Sequence, residues 1–219
     1  MQYLATQWMC SWLLIFSISS SIIHDIEGIH TAGLATLAYY YFDFRDAKKQ
    51  DLCGLLSALL SQLSAESDSC YEVLSRLHVD NAGGTRKPTR SALSKCLKDM
   101  LGLPGQGRIF LIVDALDECP NFSGTLSARE EILDLIKELV NLDLSNVHLC
   151  VTSRPEVDIQ TVLEPLTTLK VSLHDEIGQK EDILNFIKSV VLSDRRMRGW
   201  KEDDRQLAID ILSEKADGM

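Results

Sequence analysis

The chain has 219 residues, a formal net charge of −10, 45% hydrophobic residues and 25% charged residues. That length holds one sizeable α/β domain, or one domain and the start of another, and the apolar share is enough for a buried core. The acidic balance excludes a dedicated nucleic-acid surface, because phosphate neutralisation needs clustered Lys and Arg, and the short basic groups around Arg86–Arg90 and Arg195–Arg198 read as solvated surface.

Trp8 to Ile23 is apolar with interspersed serines, and the first Lys or Arg is Arg45. A signal peptide needs a basic lead, and a membrane span needs roughly 20 apolar residues. The run meets neither requirement and reads as a buried strand or helix, with Ser19 to Ile26 opening a helix. Leu34 to Phe44 is β-branched and aromatic enough for a strand. Asp51 to Leu63 places Leu52, Leu55, Leu56, Leu59, Leu60 and Leu63 at helical spacing, which predicts an amphipathic helix. Cys70 to Leu77 and Ser91 to Leu101 predict two more helices. Asn81 to Thr85 and Gly102 to Gly107 read as turns from their composition.

Arg108 to Val113 is a continuous apolar run ending at Asp114, the pattern of a central parallel strand buried on both faces. Ser127 to Leu139 is helical, with Ser127 and Glu130 spaced as a capping box. Val147 to Val151 predicts a short strand closed by Thr152-Ser153-Arg154-Pro155. Leu166 to Leu173 alternates and reads as a further strand. Asp182 to Val191 and Gln206 to Leu212 predict amphipathic helices. Strands alternating with helices imply βαβ units in a mostly parallel sheet, where ligands bind beyond the carboxyl ends of the strands.

The residues with chemical potential lie at those ends. Arg108 to Cys119, Arg-Ile-Phe-Leu-Ile-Val-Asp-Ala-Leu-Asp-Glu-Cys, carries Asp114 out of a buried strand, keeps the turn tight at Ala115, and brings Asp117 and Glu118 to the same edge. Mg-nucleotide chemistry needs one carboxylate for the hydrated Mg²⁺ and another to orient or deprotonate the attacking water. Taken alone, the same residues are also an ordinary acidic strand-to-helix turn. The six cysteines include no C-x-x-C pair, and the five histidines are scattered. A resident metal centre is therefore not expected, and the thiols read as reduced, structural and cytoplasmic.

"IFLIVDALDEC" followed about 30 residues later by "VHLCVTSRPE" resembles the NACHT domain of the signalling (STAND) P-loop NTPases, and within it the nephrocystin-like N-terminal type abundant in fungal proteins. "YYYFDFRD" at Tyr39 to Asp46 and "KADGM" at Lys215 to Met219 fit the same pattern. The resemblance implies a three-layer α/β/α P-loop-NTPase-like sheet followed by the start of a helical domain. It divides the chain into an apolar segment 1–18, a core 19–174 and the first helices of the next domain at 175–219. It makes Asp114 the Walker B ligand to Mg²⁺, Asp117 and Glu118 the added acidic pair with one of them the water-activating base, and Thr152, Ser153 and Arg154 the phosphate-sensing segment.

One departure matters. The family opens with G-x-x-x-x-G-K-[ST], whose backbone N–H groups and Lys hold the phosphates. Here no Gly precedes Gly28 and no Lys precedes Lys48. Intact members bind Mg-ATP or Mg-GTP; for this chain no cofactor is expected. The expectation is a fragment without ATPase activity that works through protein partners or self-association, without nucleic acid or membrane. The alternative is an active nucleotide switch with a non-standard phosphate loop. A third reading makes the residues ahead of Ser19 a product of gene-model choice, which the genomic sequence upstream would show. The apolar face around Ala208, Ile209, Ile211 and Leu212 also predicts that the isolated chain is not a self-sufficient folding unit.

Overall fold

The computed structural model describes residues 22–121, 127–171, 177–194, 197 and 199–216. Most of the apolar Trp8–Ile23 run therefore lies outside the described residues. What is described is mixed α/β: three parallel strands with many helices. The chain divides into two compact units, Met1–Thr167 and Thr168–Met219.

In the first unit, helix α1 covers residues 22–31. Strand β1 is Ala35–Tyr41, then come α2 (Leu52–Glu66), α3 (Asp68–Asp80) and α4 (Arg90–Leu101). Strand β2 is Arg108–Asp114, followed by α5 (Ala128–Val140), β3 (Val147–Val151) and α6 (Val157–Leu163). The sheet order is β1-β2-β3, with both pairs parallel. Local sequence chemistry sets the boundaries. Asp51 caps α2 by accepting from Gly54 N, Ser67 caps α3, and Thr89 caps α4. Ser127 and Glu130 form the expected capping box at α5.

Strand alternation sorts the core onto two faces. Ala38, Tyr40 and Phe42 with Ile109, Leu111 and Val113 join the leucines of α2, α4 and α5 in the main core. Leu37, Tyr39 and Tyr41 with Phe110, Ile112 and Cys150 pack with Ile22, Ile23 and Ile26 of α1. The central strand β2 is covered on both sides, as its unbroken apolar run requires.

Among the described residues β1 is an edge strand, and a side chain satisfies its backbone at Tyr39. Gln62 of α2 accepts from Tyr39 N (3.1 Å) and donates to Tyr39 O (2.8 Å), imitating a neighbouring strand. Gln62→Leu leaves both backbone groups half-buried and unpaired, a loss expected to cost about 1–3 kcal/mol. Urea denaturation measures it. A change within the noise would show that water replaces the amide.

The second unit contains α7 (Ile177–Ser193) and α8 (Glu202–Ala216), joined through Ile187, Val191 and Ile209. The strand expected at Leu166–Leu173 is corrected in part. Glu164–Leu166 is a 3₁₀ turn and 167–171 form no strand, while 172 and 173 lie outside the described residues. Leu169 and Val171 are exposed, and period-two alternation makes a strand only where a sheet edge receives it. Helix α6 carries too little periodicity over seven residues to be read in advance. No helix among the described residues is long and apolar enough to cross a membrane.

Candidate functional site

The carboxyl ends of β2 and β3 meet at one rim. The register pairs Val113 with Val151, which brings Asp114 beside Thr152. Thr152 N donates to Val113 O (3.0 Å), and Leu116 N donates back to Thr152 O (3.0 Å). The Thr152 hydroxyl accepts from Ala115 N (3.1 Å) and donates to Asp114 Oδ1. Asp114 is only 1% exposed, so this hydroxyl is part of what makes a carboxylate tolerable there.

Beyond Asp114 the chain turns sharply. Ala115 has φ 55° and ψ 47°, the left-handed region, before the 3₁₀ turn Leu116–Glu118. A residue with a Cβ pays about 1 kcal/mol for that conformation. The turn sends its two acids in different directions. Asp117 faces the end of β3: its Oδ1 accepts from Arg154 N (3.0 Å), and its Oδ2 pairs with Arg154 Nε (3.1 Å). Glu118 faces the loop after β1, where its Oε2 accepts from Phe44 N (3.1 Å). In that loop Arg45 grips Asp43 through Nε (2.9 Å) and Nη2 (3.0 Å), and these hydrogen bonds hold the Asp43 carboxyl below its usual range. The Ser153 hydroxyl donates to Arg154 O (2.9 Å).

Burial pushes the Glu118 carboxyl up to about 7; Asp117 and Asp43 add to the rise, and the Phe44 N–H and Arg154 work against it. The sign follows directly. Between its ordinary value of 4.5 and about 7, the folded chain holds a proton that the unfolded chain has released, so this group makes stability fall as pH rises through that window. Glu118→Gln is expected to flatten the decline between pH 5 and pH 8 in urea denaturation. An unchanged slope would place the pH dependence elsewhere.

All six residues singled out from sequence therefore stand at one rim: Asp114, Asp117, Glu118, Thr152, Ser153 and Arg154. Sequence reasoning missed two contributors. One is the Phe44 backbone. The other is Arg129, 5% exposed in the first turn of α5. Its Nη2 donates to Asp117 O (2.6 Å), its Nε to Cys119 O (2.9 Å), and its Nη1 to Glu156 Oε2 (2.9 Å) and Asp158 Oδ2 (3.1 Å). The missed signal was spacing: Arg129 shares the helical stripe of Ile132, Leu133 and Ile136, all of them buried.

No curated protein and no solved structure matches this chain. A family model described as nephrocystin 3, N-terminal, matches residues 17–154, which is more than half of the chain and runs from the first apolar segment to the last residue of the rim. The chain belongs to the nephrocystin 3 N-terminal family.

Proposed function

We propose that this chain is a NACHT-like domain of the P-loop NTPase class that retains the acidic half of a nucleotide site and works through protein contacts, without hydrolysing nucleotide. Helices on both faces of a parallel sheet support the three-layer arrangement, and the convergence of Asp114 and Thr152 supports the Walker B and sensor assignments. On this reading 19–174 is the core and 175–219 the start of the helical domain. The free thiols among the described cysteines fit a cytoplasmic setting.

The observation that carries the proposal is the state of the rim's cations. Arg154 is paired with Asp117 and Arg45 with Asp43, while Asp114 and Glu118 add further carboxyl groups. Phosphate affinity comes from oriented backbone N–H groups and an available cation. The described residues of the rim do not fit a Mg-nucleotide, because their arginines are already paired with carboxylates.

The rival reading, a hydrolytic switch with another phosphate loop, draws on Glu118, whose carboxyl near 7 is where a general base is poised. Titration calorimetry with Mg-ATP separates the two. The expected result is no saturable binding at millimolar nucleotide and no hydrolysis above background. A micromolar dissociation constant lost in Asp114→Asn would refute the proposal in favour of the rival.

A further inference from the structure

Among the described residues, Asp114 and Arg129 are the charged residues buried as a whole, and the Asp117 side chain, paired with Arg154, is as buried as that of Arg129. Asp114 ends the central strand and belongs to the rim. Arg129 is harder to account for, because the first turn of a helix is the electropositive end and disfavours a cation by a few tenths to about 1 kcal/mol. What holds it there is a set of acceptors from two separate segments. The carbonyls of Asp117 and Cys119 belong to the acidic turn after β2. The carboxylates of Glu156 and Asp158 belong to the start of α6, where Glu156 occupies the cap position yet makes no side-chain capping bond to its own helix. Asn121 Nδ2 adds a bond to Asp158 Oδ2 (2.8 Å). A planar guanidinium can serve these four directions at once, which an ammonium cannot.

We propose that Arg129 is a positioning residue that locks the acidic turn to the start of α6, so that a displacement at the rim is passed to the segment through which the chain leaves the first unit. That segment runs through α6 and the turn Glu164–Leu166 to Thr167, where the first unit ends. The lock acts whether or not the rim takes a nucleotide, so it stands apart from the functional reading above. A second bridge, Arg154 to Asp117, joins the same turn to the end of β3 and is one-third exposed at the arginine. The two bridges have to be separated experimentally.

Hydrogen exchange of the full chain, read by mass spectrometry, does so. The double substitution Glu156→Gln with Asp158→Asn changes side chains at the α6 end alone, and the amide oxygen introduced at 158 can still accept from Asn121 Nδ2, so the contact outside the Arg129 set is kept. It is expected to accelerate exchange at residues 116–119 by tenfold or more, where Glu118 N and Cys119 N are protected by bonds to Ala115 O (2.9 Å) and Leu116 O (3.1 Å), and to leave α2 and α4 unchanged. In an Arg129→Gln background the same double substitution is expected to add nothing at 116–119, because the connection is already cut. Acceleration confined to 156–163, or an equal increment with and without Arg129, would overturn the proposal. Should Arg129→Gln not fold, the double substitution is placed in an Arg154→Ala background. Its effect on 116–119 persists there if Arg129 carries the coupling, and its disappearance assigns the coupling to Arg154 and sinks the idea.

Discussion

Arg129→Leu is expected to lower the stability of the first unit by about 2–4 kcal/mol in urea denaturation. The figure rests on which acceptors are left behind. The Glu156 and Asp158 side chains are 45% and 35% exposed, so each can turn to water and loses little. The Asp117 and Cys119 carbonyls sit against the buried guanidinium and lose charge-assisted bonds, each worth about 1.5–3 kcal/mol. Leucine returns part of this through apolar packing beside Ile132 and Leu133. Arg129→Lys keeps the charge but not the fork and is expected to fall between the two. A loss below about 1 kcal/mol for Arg129→Leu would mean that water re-satisfies the turn and that the arginine is not what holds it.

The second large effect lies in the strand that carries the rim. Leu111 is fully buried at the middle of β2, paired with Ala38 on one side and Leu149 on the other. Leu111→Ala removes three methyl-sized groups from a core that cannot collapse around them, because both neighbouring strands are held by ladder bonds. A loss of about 2–5 kcal/mol is expected. At roughly 2–4 °C per kcal/mol for a unit of this size, the melting temperature of the first unit falls on the order of 10 °C. Tyr71→Ala on α3, 61% exposed, is the matching control and is expected to stay within about 0.5 kcal/mol of the parent. Calorimetry on the three proteins decides it: equal melting temperatures for the parent and Leu111→Ala would mean that the sheet is not the cooperative centre of the unit.

Both predictions depend on the division between local and distant information in this chain. The leucines of α2 fall at 52, 55, 56, 59, 60 and 63, and all six are buried, because a 3.6-residue period states which face a helix must hide. The capping box at Ser127 and Glu130 formed for the same reason, since its partners are three residues apart. The β2 run from Ile109 to Val113 marked a strand covered on both faces, and its end placed Asp114 at the rim.

Other features depend on partners that sequence spacing does not identify. Gln62 satisfies the β1 backbone at Tyr39 from 23 residues away, and Phe44 meets Glu118 across 74. Asp117 and Glu118 are adjacent in sequence, yet the left-handed turn at Ala115 sends one to Arg154 and the other to the β1 loop. Leu166 to Leu173 shows the converse: an alternating pattern with no edge to join forms no strand over its described part. By itself the sequence determined the elements, the faces they bury and the rim where the acidic residues gather, because periodicity and capping act within one or two turns of chain. Only the tertiary structure decided which carboxylate is clamped, which is half-buried with its pKa raised, and that Arg129 joins them to α6, because hydrogen bonds and desolvation are set by what packs nearby in space.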